Sequence, residues 1–241
     1  MFNAATLSFA SHVIASNEIG QGPKSSQNAS SSTPQRNPEL IPFKAQDYSY
    51  LIGMPGFSNE ALQTHFKLYQ GYVTNTNLIL ETLAQYAAEG KDRTPQYAEL
   101  KRRLMWEYDG MRLHEDYFGN LGGKGKQLES NDPLFKRIVQ DFGSFDAWKK
   151  DFVATGLMRG IGWSVLYLDP ISGRLVNTWI NEHDHGHLAG GDPILIMDVF
   201  EHAFMPDYGL DRAKYIEAFF NNIDWSVVAS RYPQQMKRMS Q

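Results

Sequence analysis

The sequence predicts an α+β chain: an N-terminal antiparallel helical hairpin followed by an α/β domain with a three-stranded antiparallel sheet. Three observations carry this. Between residues 58 and 121 apolar side chains recur at three- and four-residue steps in two long runs, the mark of amphipathic helices, and only a short polar link separates them. Residues 163–168 and 175–180 are apolar or alternating runs on either side of Pro170-Ile171-Ser172-Gly173, the pattern of a β-hairpin. A further apolar run at 194–199 supplies the third strand.

Taken in order, residues 1–42 read as a flexible tail, because the Ser-, Asn- and Gln-rich stretch within 24–38 is too polar to bury much surface. Residues 1–23 hold no Lys or Arg, so neither a charged secretory leader nor an Arg-rich transit pattern is present, which favours a cytoplasmic location. Gly53-Met54-Pro55-Gly56 is a turn signal, and Ser58 or Asn59 can cap the helix that follows by accepting its first free backbone N–H groups. That helix runs to Gly90, about thirty residues or about 45 Å. Leu62, Phe66, Tyr69, Val73, Thr76, Leu80 and Leu83 form its buried stripe, His65 lies on the stripe's edge, and Tyr69 and Tyr72 follow on the same side.

Thr94-Pro95 opens the second helix with a cap residue and a proline at the first helical position. It continues through Leu104, Met111, His114, Tyr117 and Phe118 to the stop at Gly122-Gly123, and an antiparallel pairing sets His65 opposite His114. Gly, Lys and polar residues at 122–133 mark a boundary between a helical hairpin domain, 43–125, and an α/β domain, 126–241. Two shorter helices at 134–142 and 145–157 precede the hairpin, and a closing helix at 211–222 precedes Trp225.

Composition narrows the chemistry. With 241 residues, 42% of them hydrophobic, the chain can bury a sizeable core. A net charge of -4 offers no general basic surface, so neither nucleic acid nor an anionic membrane is an expected partner. No run approaches the roughly eighteen apolar residues of a membrane span. There is no cysteine, which excludes disulfides, thiolate catalysis and sulfur-ligated metals. Any metal is held by nitrogen and oxygen.

The stretch Asp198-Val199-Phe200-Glu201-His202-Ala203-Phe204 sets a carboxylate and an imidazole four residues apart at the end of a strand, where both can reach one metal ion. A helix-terminal Asp beside a surface His fits the same residues. The stretch resembles the signature Asp-Val-Trp-Glu-His-Ala-Tyr of the iron/manganese superoxide dismutases, with Phe200 in place of the Trp, and the resemblance recurs in order across residues 51–232. It implies that His65, His114, Asp198 and His202 hold one iron or manganese ion per subunit, with iron favoured and a solvent molecule in the fifth position. The function it implies is disproportionation of superoxide to dioxygen and hydrogen peroxide. Three neutral imidazoles and one carboxylate would leave a divalent ion at net +1 and a trivalent ion at net +2, compatible with redox cycling on a fixed ligand set.

Two other readings compete. Some members of this fold are inactive components of larger assemblies, but all four ligand positions are filled here. A mononuclear iron enzyme of other chemistry would want two His, one carboxylate and open positions.

The resemblance also implies roles around the ligands. Relatives hydrogen-bond the metal's solvent from a side chain four residues before the second ligand, here Gly110, or from the loop after the second strand, here His183, with His185 and His187 as competitors. His183 is expected to donate to that solvent across the space that Gly110 leaves. Tyr72, beside Val73, resembles the gateway tyrosine, one residue nearer the first ligand than usual. An extra residue in a helix is absorbed by a bulge, so its loss predicts a plain helix with Tyr72 still facing with His65. Tyr69 and Met205 stand where relatives carry a His and a Tyr that pair across a dimer. Glu201 remains, implying a homodimer or higher oligomer in which it is buried against the partner subunit's His202. Trp163, Phe118 and Phe200 would wall the pocket.

Overall fold

The computed structural model describes residues 41–238, so the expected tail at 1–42 falls, but for its last two residues, outside the described residues. Helix α1 (Asn59–Ala88) begins at Ser58, whose hydroxyl accepts the Ala61 N–H at 3.0 Å. It is a single unbroken α-helix, so no bulge intervenes between His65 and Tyr72. Helix α2 (Pro95–Gly119) starts in the expected way, with Thr94 accepting the Tyr97 N–H and Pro95 in the first turn, where its missing N–H costs nothing. The two helices pack along one another and bring the rings of His65 and His114 to 5.0 Å.

Helices α3 (Pro133–Phe142) and α4 (Phe145–Gly156) are capped by the side chains of Asp132 and Ser144. Gly143 turns the chain between them at φ +85°, a conformation that favours glycine. The sheet follows as β1 (Gly162–Leu168), β2 (Leu175–Asn181) and β3 (Asp192–Asp198), in the order β2-β1-β3 with both pairings antiparallel. The α+β class and the three-stranded antiparallel sheet are those expected. The central strand β1 is buried along its whole length, which explains its nearly continuous apolar run. Its register puts Trp163 opposite Asp198 on one side and Ile180 on the other, so the indole, the carboxylate and the loop after β2 meet at one end of the sheet.

Helix α5 (Glu201–Tyr208) leaves β3 after two residues, and α6 (Arg212–Asn222) and α7 (Trp225–Arg238) complete the described chain. Of these only α6 is expected from the sequence. Helix α5 is eight residues long and contains Pro206, which has no N–H to return to the turn before it. Helix α7 is docked by buried Val228 and Tyr232 and capped by Asp224, which accepts the Ser226 N–H. Trp148, Phe152, Phe219 and Phe220 pack α4 and α6 together with rings in edge and tilted contact. No helix among the described residues is long and apolar enough to cross a membrane.

Candidate metal centre

Four elements each bring one side chain to a common point: His65 from α1, His114 from α2, Asp198 from the last residue of β3 and His202 from the first turn of α5. Their ligand atoms all lie within 4.8 Å of one another. His65 Nε2 and His202 Nε2 are each 3.1 Å from Asp198 Oδ2, and His114 Nε2 is 3.6 Å from it. The other carboxylate oxygen, Oδ1, accepts the Phe200 N–H at 2.8 Å, which fixes the plane of the group and leaves Oδ2 facing the three imidazoles. The strand end itself is held by Tyr215, whose hydroxyl donates to the Asp198 carbonyl and lies 3.1 Å from the Tyr117 hydroxyl.

His114 tests most directly whether these residues fit a cation. Its Nδ1 is 2.6 Å from the Gly110 carbonyl, which can only accept, so Nδ1 carries the proton and Nε2 is a bare lone pair. That Nε2 is buried and has no hydrogen-bond partner among the described residues. An unmatched polar atom in a wholly buried side chain is costly unless something binds it. Burial, then the neighbouring His65, hold the His114 pKa well below its ordinary value, and burial likewise lowers His65, so both are neutral ligands. Burial alone would raise Asp198, but its contacts with His202 and His65 prevail and keep it ionised. Three imidazole nitrogens and one anionic oxygen fit a divalent or trivalent transition metal, and the backbone bond at His114 Nδ1 orients its ring as metal-ligating histidines require.

Aromatic rings enclose the cluster. Trp163 meets His114 edge-on at 5.0 Å, Phe118 meets His65 at 4.9 Å, and Phe200 stacks on both His202 and His183, at 5.1 and 4.6 Å. The three residues expected to wall the pocket do so.

Of the three loop histidines only His183 points inward. It is fully buried, whereas His185 is largely exposed and bonded to Asp184, and His187 is part-exposed and bonded to Tyr167. Trp163 Nε1 donates to His183 Nδ1 at 3.1 Å. An indole nitrogen is only a donor, so the His183 proton sits on Nε2, which lies 2.8 Å from the Tyr72 hydroxyl. The single N–H of His183 is therefore given to Tyr72. The space above Gly110 is not empty either: a Cβ there would stand 2.8 Å from Tyr72 Cδ1, so the missing side chain makes room for the tyrosine ring, where the sequence had suggested room for the reach of His183. Burial lowers His183 to about 4 and, with the charges of Asp198 and Glu107, raises Tyr72 above the ordinary phenol range.

The sequence did not single out Trp106, which meets His183 edge-on at 4.9 Å, or buried Glu107, which accepts from Asn75 and Arg103 behind Tyr72. The positions of Trp106 and Glu107, eight and seven residues before His114, were the available clue. Two residues expected near a subunit contact take these places on the single chain. Tyr69 is fully buried, donates to Glu115 Oε1 at 2.9 Å and accepts the Gln46 N–H at 2.9 Å, so its phenol serves its own chain. Glu201 is exposed on the single chain, because the first turn of α5 lies at the surface, while His202 is partly exposed and Met205 is exposed beside it.

A model of the iron/manganese superoxide dismutase C-terminal domain matches residues 130–231. The chain is 40% identical to the iron superoxide dismutase of Aquifex pyrophilus over 191 residues, covering 76% of this chain and 88% of that protein. It is 36% identical to a manganese superoxide dismutase of Haloferax volcanii over 191 residues, 79% of this chain and 94% of the relative, and 38% identical to the iron superoxide dismutase of Cupriavidus metallidurans over 185 residues, 74% and 90%. Relatives named for iron and for manganese thus lie at similar distances. With identity at this level over most of each relative, and with four ligand side chains converging where one ion fits, the chain belongs to the iron/manganese superoxide dismutase family.

Proposed function

We propose that this chain is a superoxide dismutase holding one iron or manganese ion on His65, His114, Asp198 and His202. The observation that carries the proposal is the convergence of these four side chains on a point where the bare, buried Nε2 of His114 has no hydrogen-bond partner among the described residues. When bound, such an ion would supply the redox chemistry, an electron accepted from one superoxide to give dioxygen and an electron given to another, which with two protons becomes hydrogen peroxide.

The chain's own residues hold the ligands in place and manage the protons. Phe200 N–H and the Tyr215 hydroxyl fix Asp198, and the Gly110 carbonyl fixes His114. The surrounding rings keep the cluster largely dry, which strengthens each electrostatic contact. His183, with its proton on Nε2, donates to Tyr72 and so leaves the Tyr72 hydroxyl proton free to be given to reduced oxygen. The raised Tyr72 phenol stays protonated at neutral pH, as a proton donor must. The working state is proposed to be a homodimer or higher oligomer, with Glu201 of one chain meeting the partner subunit's His202. The exposed Glu201 and Met205 and the part-exposed His202, neighbours on one short helix, support this.

The test is to load the full chain separately with iron and with manganese and to follow superoxide consumption. Stoichiometric uptake with catalytic consumption by at least one form is expected. Uptake with no consumption by either form would refute the enzymatic reading.

A further inference from the structure

We propose that His187 is a positioning residue that holds the His183–Tyr72 pair in register by clasping the loop from which His183 projects. The inference deepens the proposed function and rests on it, since the pair has a task only if the site handles protons.

The loop between β2 and β3 is folded back on itself against an unfavourable local conformation. Asn181 and His185 pair as a short antiparallel bridge, the Asn181 N–H donating to the His185 carbonyl at 2.7 Å. Glu182, immediately before His183, takes the left-handed conformation at φ +54°, which a residue with a Cβ adopts only when its surroundings hold it there. Gly186 crosses so close to the β2 backbone that a Cβ would lie 2.6 Å from the Trp179 carbonyl oxygen. These features turn the His183 ring inward, but the loop needs something to keep it closed.

His187 supplies that contact. Its Nε2 lies 2.8 Å from the His183 carbonyl oxygen, an acceptor only, so Nε2 carries the proton and donates. Its Nδ1 is then an acceptor, to which the Tyr167 hydroxyl donates at 3.0 Å. Tyr167 is nearly fully buried on β1, four residues after Trp163. The central strand thus holds His183 twice: through Trp163 at the ring, and through Tyr167 and His187 at the backbone. Asp109 of α2 stands 3.6 Å from His187 Nε2 and favours a donor there, joining the loop to the helix that carries His114. Because Tyr72 receives the only N–H of His183, a loop that opened by an ångström would break the proton path without touching a ligand.

The experiment compares the metal-loaded full chain with His187→Ala and His187→Gln, the amide being able both to donate to a carbonyl and to accept from a hydroxyl. Because His187 is part-exposed, both variants are expected to fold. Backbone hydrogen exchange read by mass spectrometry over residues 180–188 should be about tenfold faster in His187→Ala, the loss of one good hydrogen bond, and return toward wild type in His187→Gln. Superoxide turnover should fall in His187→Ala with metal content unchanged and recover in His187→Gln. Unchanged loop exchange in His187→Ala would overturn the clasp whatever the protein catalyses. Faster exchange with unchanged turnover would overturn the positioning role. A wild-type chain without superoxide activity would instead refute the proposed function, leaving the clasp to be judged by exchange alone.

Discussion

The Tyr72 hydroxyl lies 2.8 Å from His183 Nε2, and the Tyr72 ring rests directly on Gly110. A side chain on α1, a missing side chain on α2 and a loop after β2 thus form one unit beside the ligands. Trp163, at the strand position opposite Asp198, sets the tautomer of that unit from β1.

The unit predicts an acid sensitivity of known sign. Burial holds His183 near 4, below the value of about 6.5 expected for an unfolded chain. Between those values the unfolded chain binds a proton that the folded chain refuses, so stability falls as pH falls through this window and His183 adds no further dependence below about 4. A bound cation pushes the same pKa further down. His183→Gln, which cannot titrate, should therefore lose less stability than wild type between pH 7 and pH 5 in denaturant unfolding. Equal losses would show that His183 is not held neutral.

Filling the seat of the tyrosine should uncouple metal from turnover. In Gly110→Ala the new Cβ overlaps Tyr72, at an overpacking cost of about 1–3 kcal/mol. The gain of Ala over Gly within a helix offsets about 1 kcal/mol of this, so net stability should fall by no more than ~2 kcal/mol. Metal should remain while turnover drops about tenfold or more with the displaced proton donor. For the same reason Gly110→Gln should not rescue His183→Ala. A crystal structure of Gly110→Ala with the Tyr72–His183 bond intact would contradict this.

Much of this was legible in the chain and some was not. The amphipathic runs, the Ser58 and Thr94 caps and the turn at 170–173 gave α1, α2 and the hairpin, because each rests on local chemistry. Asp198 and His202 were legible through their motif, and His65 and His114 through the resemblance that recurs in order along the chain. Helix α5 was hidden by Pro206 and its short length, since it is set by Asp198 and the packing of Phe204 rather than by its own periodicity. The partners of the Tyr69 hydroxyl and the occupant of the space above Gly110 were hidden too. Each is set by contacts with residues far along the chain, which spacing along one helix does not record.

Tyr69 and Glu201 separate folding from assembly. Tyr69→Phe removes a bond to Glu115 and strands the Gln46 N–H, so stability should fall by about 1–2 kcal/mol with the sedimentation of the protein unchanged. Glu201→Ala should do the reverse, weakening the proposed dimer in sedimentation while leaving the thermal stability of the isolated chain nearly as it was. A Tyr69→Phe variant that dissociates would place that phenol at the subunit interface.

The central claim is that His65, His114, Asp198 and His202 together hold one ion. Elemental analysis of the purified full chain beside His114→Ala, with circular dichroism to confirm that the variant keeps its helices, tests it most directly. The account predicts about one iron or manganese per wild-type chain and loss of both the metal and superoxide removal in the variant. A folded His114→Ala protein that retained its full complement of metal would contradict it.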